Sequence, residues 1–294
     1  MEDKNEKPTS ARIQCEKPIY KKFNKKGKSM DNETIIDLNF EGQRLLFENS
    51  KRFDYDRFTI MYLDGYNDDY LNIAINLKAK NIDEFKRDFS SIKKIMNSIN
   101  RKASLVIHNT ELISKIKCNE FGLEISDDSV WLMIKNLKNV PRYKSDILVN
   151  VSKITSNEIE YYPDKVKKGF LKSNENDPYD GLSKSVVDAI KRSCYIKSPF
   201  TTEHYVARHN NNNIIGTITI MYEKEIAYIY NVTTDINYRN KGVCKELMSY
   251  VLSRLNELGI DQAVLQTEKG FYPERIYKNL GFKELFRAIK YTEK

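Results

Sequence analysis

No pair of cysteines in this 294-residue chain is spaced as CxxC, and the four present, Cys15, Cys118, Cys194 and Cys244, lie far apart. With only three histidines beside them, neither a sequence-local zinc knuckle nor a disulfide-stapled secreted scaffold is expected. No metal is predicted on these grounds, since His108, His204 and His209 show no ligand spacing. Also missing is any apolar run of 18 residues, and the opening MEDKNEKPTS has no signal-peptide stretch. The expected location is therefore the cytoplasm, away from membranes. Charge of one sign is not in great excess: 49 Lys and Arg against 41 Asp and Glu give +8, a balance that attracts anions without implying nucleic acid.

What is present suffices for one large domain or two of ordinary size. Hydrophobic residues make up 40% and charged residues 31% of the chain, a globular composition. Residues 1–34 read as a polar, basic arm, with nine Lys or Arg and six Asp or Glu, including the cluster Lys21, Lys22, Lys25, Lys26 and Lys28. A solvated lead-in is the plain reading; a contact with nucleic acid or an acidic partner is the other.

From residue 35 the pattern becomes α/β, with a mixed sheet. RFTIMYLDGY and YLNIAINLKA read as antiparallel strands joined by a polar turn. Residues 82–100 place Ile82, Phe85, Phe89, Ile92, Ile95, Met96 and Ile99 at helical spacing. SLVIHNT and SVWLMIKNL read as further strands. A second unit is expected from about 146, with a helix across GLSKSVVDAIKRSCYI, three antiparallel strands over 204–234, and a helix striped by Val243, Leu247, Val251, Leu255 and Leu258. Strand AVLQT and a helix between Pro273 and Gly281 complete it.

The halves look duplicated. The helix of 82–100 matches that of 242–258, strand 104–108 matches 263–267, and Gly122 precedes its counterpart Gly281 by 159 residues. They differ at the start of the long helix. The second half has Arg239, Lys241 and Gly242 there, whereas the first has acidic groups and no glycine. A helix start leaves backbone N–H groups unsatisfied, so glycine and basic neighbours suit an anion such as pyrophosphate, and acidic groups repel one. Only the second half is expected to bind it.

Over roughly 146–294 the sequence resembles the GNAT acyltransferases. Their Arg/Gln-x-x-Gly-x-Gly/Ala motif is matched by Arg239, Asn240, Lys241, Gly242, Val243 and Cys244, with Cys244 where a smaller residue is customary. A Tyr four residues before Gly-Phe recurs as Tyr277, Gly281 and Phe282. The Asn customary seven positions before that Tyr is replaced by Gly270. The resemblance implies a tandem GNAT-like acyl-CoA N-acyltransferase fold: a degenerate copy over 35–145 and a catalytic acetyltransferase domain over 146–294. It implies acetyl-CoA as cosubstrate, its pyrophosphate on residues 239–244 and its pantetheine arm beside Val232 and Thr233. An N–H near Asn231 or Val232 would polarise the thioester, and an amine would attack it directly. Tyr277 is then the expected general acid. Glu225 is a guess for the general base, Asp235 being read as a loop or cap residue, and Cys244 is read as packing rather than as a nucleophile. Tyr222, Tyr228, Tyr230 and Tyr272 are expected either to wall an acceptor cleft or to pack in the core. The amine, of a small molecule or a peptide, is not specified; a non-catalytic CoA-binding or protein-interaction module is the alternative.

Overall fold

A computed structural model describes residues 30–294 except 176, 211 and 212. The Lys-rich cluster, Cys15 and most of the expected arm lie outside the described residues. The chain forms two compact units, one from the described residues of 1–40 with 49–126 and 290–294, the other from 41–48 and 127–289.

Helix α1 (Asn32–Arg44) opens the described chain. It escapes sequence reading because its buried set mixes Ile35, Ile36 and Leu38 with Asp37, Asn39 and Glu41, which blurs the apolar stripe. In the first unit β1 (Ser50–Asp54) pairs antiparallel with β2 (Thr59–Leu63), and β2 with β3 (Ile73–Ile75). Helix α2 (Ile82–Ser98) crosses to β4 (Ser104–Ile107), which pairs parallel with β3 through Ala74 and Leu105. The expected stripe of α2 faces the core, with Phe85, Phe89, Ile92 and Met96 buried, each worth roughly 1.5–3 kcal/mol. Its N-terminus caps itself: Asn81 accepts the Glu84 N–H at 3.0 Å, while Glu84 accepts the Lys80 N–H at 3.2 Å. Arg57 also pairs with Glu84 at 2.8 Å and with Asp88 at 2.7 Å. The short helices α3 (Thr110–Lys115) and α4 (Cys118–Phe121) follow, and Gly122 ends α4 at φ 63°, a left-handed cap that glycine adopts without strain.

Strand β5 (Leu123–Lys135) enters the second unit. Its residues 129–135 pair antiparallel with 262–268, so the units divide at 126/127 and not near 146. A strand with a continuous apolar run carries no mark of which sheet it joins. After β6 (Asn150–Lys153) come α5 (Tyr162–Gly169) and α6 (Lys184–Ser193). Helix α5, two turns long, buries only Tyr162, Pro163 and Val166, too few positions for a readable period. Strands β7 (Thr201–His209), β8 (Asn213–Glu223) and β9 (Ile226–Thr234) form the expected antiparallel series. Helix α7 (Val243–Glu257) buries Val243, Leu247, Val251 and Leu255 as its stripe foretold. Strand β10 (Gln262–Glu268), α8 (Tyr272–Asn279) and β11 (Lys283–Glu293) complete the chain. In this unit the strand order is β11-β5-β10-β9-β8-β7-β6. The order strand, long helix, parallel strand occurs in both units, as β3-α2-β4 and as β9-α7-β10.

Candidate active site

The second unit contains a parallel pairing, of β9 with β10, and that pairing stops early. Gln262, Ala263 and Val264 pair with Ile226, Ala227 and Tyr228. Beyond them β10 runs on to Glu268 against β5, and β9 to Thr234 against β8. The two strands therefore part, and both offer unpaired edges toward the gap. On β9 the gap coincides with a bulge: the register with β8 shifts between Thr217 and Thr219, and Asn231 takes φ 54°. Two threonines of β8 pin this bulge. Thr219 Oγ1 accepts the Asn231 side-chain amide at 3.0 Å, and the Thr217 hydroxyl donates to the Asn231 carbonyl at 2.9 Å. Behind Thr219 its hydroxyl also meets Tyr162 Oη at 2.9 Å and His204 Nδ1 at 3.0 Å. Burial presses His204 down to about 4, so it serves as a neutral hydrogen-bonding member of this network.

Gly242 caps the N-terminus of α7 at φ 78°. The first bond within the helix runs from the Glu246 N–H to the Gly242 carbonyl at 3.0 Å, so the N–H groups of Val243, Cys244 and Lys245 have no acceptor inside it. Glycine is needed here for a second reason. A Cβ would stand 3.0 Å from Ser145 Cα and 3.4 Å from the Lys144 carbonyl, because residues 144–146 cross the first turn. Ser145 is tied to Glu246 by its N–H at 2.8 Å and its hydroxyl at 2.7 Å, and the Asp146 N–H meets the Lys241 carbonyl at 2.9 Å. Asn240 is also left-handed, at φ 61°, and Lys241 Nζ lies 5.2 Å from the centre of the Tyr238 ring. Asp235 accepts the Asn237 N–H at 3.0 Å, the capping role expected of it.

Arg239 is placed differently from the expectation that its charge awaits an anion. Its guanidinium donates to Asp177 Oδ2 at 2.6 Å, to Ser173 Oγ at 2.8 Å and to the Gly169 carbonyl at 3.2 Å. It fastens the segment between α5 and α6 to the loop before α7. Gly169 reinforces this contact, since a Cβ there would fall on the Thr233 side chain at 2.3 Å. The charge that sequence spacing assigned to a ligand is met by a carboxylate 62 residues earlier in the chain.

Tyr277 is buried, 8% exposed, and burial lifts its phenol well above the ordinary value, with Cys244, Tyr272 and Glu268 adding to the effect. Burial likewise pushes the Cys244 thiol up to about 11, which keeps it protonated, as a packing residue is and a thiolate nucleophile is not. Glu225 lies elsewhere. It occupies the turn between β8 and β9, its carbonyl accepting the Gln262 N–H at 3.2 Å, where β9 and β10 are still paired. Thr233 is eight residues further on, about 26 Å along an extended strand, so Glu225 is set at the opposite end of β9 from the gap. Among the tyrosines, Tyr228 is a core residue at 1% exposed and stacks 6.5 Å from Tyr230, while Tyr222 stands opposite Ala227 at the Glu225 end.

Sequence reading missed Glu268, Asp177 and Tyr179. Glu268 ends β10 in the gap, where burial raises its carboxyl to about 7 against the lowering effect of Tyr179, and Asp127 and Asp177 raise it further. Tyr179 stands beside both Glu268 and Tyr277. A glutamate next to the buried Thr267 at the end of the strand after the long helix was the available signal for the first; nothing local marked the other two. Among the described residues no group of three or more His, Cys, Asp or Glu is placed to hold a metal, and no helix is long and apolar enough to cross a membrane.

Residues 201–284, which span β7 through α8 and the start of β11, match the family model described as an acetyltransferase (GNAT) domain. Similar solved structures extend over most of the chain. A GCN5-related N-acetyltransferase from Kribbella flavida is 14% identical, with a TM-score of 0.61 over 90% of this chain and 96% of that one. A conserved protein of unknown function from Staphylococcus epidermidis is 18% identical, with a TM-score of 0.60 over 82% and 92%. A tandem GNAT protein from the clavulanic acid biosynthesis pathway is 11% identical, with a TM-score of 0.58 over 90% and 89%. No curated protein sequence matches the chain. The fold is thus a mixed α/β sheet similar to that of the tandem GNAT protein.

Proposed function

We propose that the second unit transfers an acetyl group from acetyl-CoA to a primary amine by direct attack, with no covalent enzyme intermediate. The observation that carries this reading is the gap between β9 and β10, with the bulge at Asn231 on one wall and the open N-terminus of α7 at its end. A pantetheine arm can lie along such an unpaired strand edge beside Val232 and Thr233. Its pyrophosphate would meet the N–H groups of Gly242, Val243 and Cys244, with Asn240 shaping the loop and Lys241 supplying charge. Arg239 holds this loop to the α5–α6 segment. The left-handed turn at Asn231 breaks the ladder, so that an N–H of Asn231 or Val232 can polarise the thioester carbonyl. The Tyr277 phenol stays protonated at neutral pH and serves as general acid toward the departing thiolate. The first unit, whose corresponding helix start is closed by Asn81 and Glu84, supports the architecture without binding the cosubstrate.

Thermal denaturation with added acetyl-CoA tests binding, and release of CoA thiol with spermidine, kanamycin and a lysine-bearing peptide tests transfer. Stabilisation with thiol release supports the proposal. Stabilisation without release from any amine replaces it with a non-catalytic CoA-binding module, and absence of stabilisation at millimolar acetyl-CoA refutes both.

A further inference from the structure

The geometry points to Glu268 as the general base that removes the proton from the incoming ammonium, an inference that rests on the acetyltransferase reading. Glu268 is the final residue of β10, on the stretch that has parted from β9. Counting on from the Val264–Tyr228 pair brings it level with the bulge at Asn231 and Val232, where the thioester carbonyl is proposed to sit. Its Oε2 atom is buried and has no hydrogen-bond partner among the described residues, although the Tyr179 phenol stands close enough to act on the carboxyl as a hydrogen-bond donor. An unpartnered carboxylate oxygen inside a cleft is costly unless something is bound to it; an ammonium supplies that partner.

The titratable groups around Glu268 come from three elements. Tyr179 and Asp177 approach from the α5–α6 segment, Asp127 from β5, and Tyr277 and Tyr272 from α8. The charges that weigh most on it, Asp127 and Asp177, are both negative, and it titrates at about 7. That value suits a group that must be ionised to accept a proton and must later give it up at neutral pH. By contrast Asp177 is held by Arg239 and is not available.

The step balances as follows. Glu268 takes one proton from the ammonium, and the freed nitrogen lone pair forms the N–C bond to the thioester carbon. The C–S bond breaks with its electron pair going to sulfur, and Tyr277 protonates that sulfur. The second proton lost by nitrogen restores the Tyr277 phenol, and Glu268 releases its own proton to water. An ammonium and acetyl-CoA thus give an amide, CoA thiol and one proton.

Glu268→Gln tests the assignment with three readouts. Thiol release with the best of the three amines named above should fall by roughly 10²–10³-fold, while acetyl-CoA stabilises the variant as it does the wild type. In the wild type kcat/KM should rise through a group of about 7, at a position unchanged between spermidine and the less basic kanamycin; the variant should lack this limb. Melting temperatures should coincide below about pH 4 and favour the variant increasingly up to about pH 7, because between the ordinary carboxyl value and the raised one only the unfolded chain ionises freely, which destabilises the fold as pH rises. A variant that transfers within threefold of wild type, or loses only acetyl-CoA affinity, overturns the assignment and leaves the acetyltransferase reading intact. A wild type that binds acetyl-CoA and acetylates none of the amines overturns both. Should Glu268→Gln not fold, Glu268→Asp is compared: a reduced kcat with the pH limb retained supports the role, and an undiminished kcat overturns it.

Discussion

Arg239 and Asp177 form an ion pair at 2.6 Å in which the carboxylate is 1% and the guanidinium 20% exposed. Ser173 and the carbonyls of Gly169 and Thr234 take three further N–H donors of the arginine. The pair joins the loop before α7 to the segment carrying Tyr179.

Removing one partner leaves the other charge without its counterion. Asp177→Asn is expected to destabilise the protein by about 2–4 kcal/mol, measured by urea denaturation at pH 7. Burial pushes the Asp177 carboxyl up, but Arg239, Ser173 and the Tyr179 backbone outweigh it and hold the carboxyl below its usual range. Its stabilisation is therefore complete above about pH 4 and disappears as pH falls further. The difference between wild type and variant should shrink in that acidic window and remain constant from pH 5 to 8.

Gly242→Ala places a side chain at φ 78° and against residues 144–145. The left-handed backbone alone costs roughly 1–2 kcal/mol, and the close approach adds to it. A fall in melting temperature together with weaker binding of acetyl-CoA is expected. Gly259→Ala, at the same φ of 78° with nothing within 4 Å, should lose stability alone.

Tyr277→Phe keeps the ring contact with Phe282, whose centroid lies 6.1 Å away, and removes the hydroxyl. On the proposed role kcat should fall by roughly 10²-fold with the acetyl-CoA KM nearly unchanged. Steady-state kinetics that show a full kcat, or a loss confined to KM, exclude the tyrosine as general acid.

A second ion pair sits away from the gap. Arg208 and Glu158 are both 8% exposed, and the arginine Nε meets Oε1 at 2.8 Å while Nη2 meets Oε2. Glu158→Gln should cost about 3–5 kcal/mol without altering acetyl-CoA binding. Arg208 holds the Glu158 carboxyl low, so this contribution too is present above the usual glutamate range and fades as the solution is acidified below it. Arg208→Lys, which cannot bond both oxygens in a fork, should recover only part of it.

The bulge offers a contrast between backbone and side chain. Asn231→Gly retains access to φ 54° and loses the bond to Thr219, a loss of about 1 kcal/mol. Asn231→Val, β-branched and disfavoured at positive φ, should lose more stability and lower kcat as well, because the N–H proposed to polarise the thioester shifts. Parallel measurement of unfolding and kcat separates the two effects.

Periodicity made α2, α7 and the strand series β7-β8-β9 legible, because each buries one face and the apolar residues repeat at the spacing of the element. The run from Arg239 to Cys244 and the spacing of Tyr277 to Gly281 and Phe282 were legible for a different reason, their resemblance to GNAT motifs; each contains a glycine that the fold holds left-handed, Gly242 at the start of α7 and Gly281 past the end of α8. Elements α1 and α5 were not legible, the one hiding polar residues on its buried face, the other ending after two turns.

Local chemistry in the sequence thus determined where α2, α7 and α8 lie and marked the loop before α7 as the place for an anion. Tertiary structure alone decided what Arg239 pairs with, that Glu225 stands at the paired end of β9, and that Glu268, Tyr179 and Tyr277 meet in the gap. Those outcomes depend on contacts between residues tens of positions apart and on where two strands stop pairing. Sequence spacing specifies the periodicity of an element; the partner of a charge is settled only when the sheet brings distant segments together.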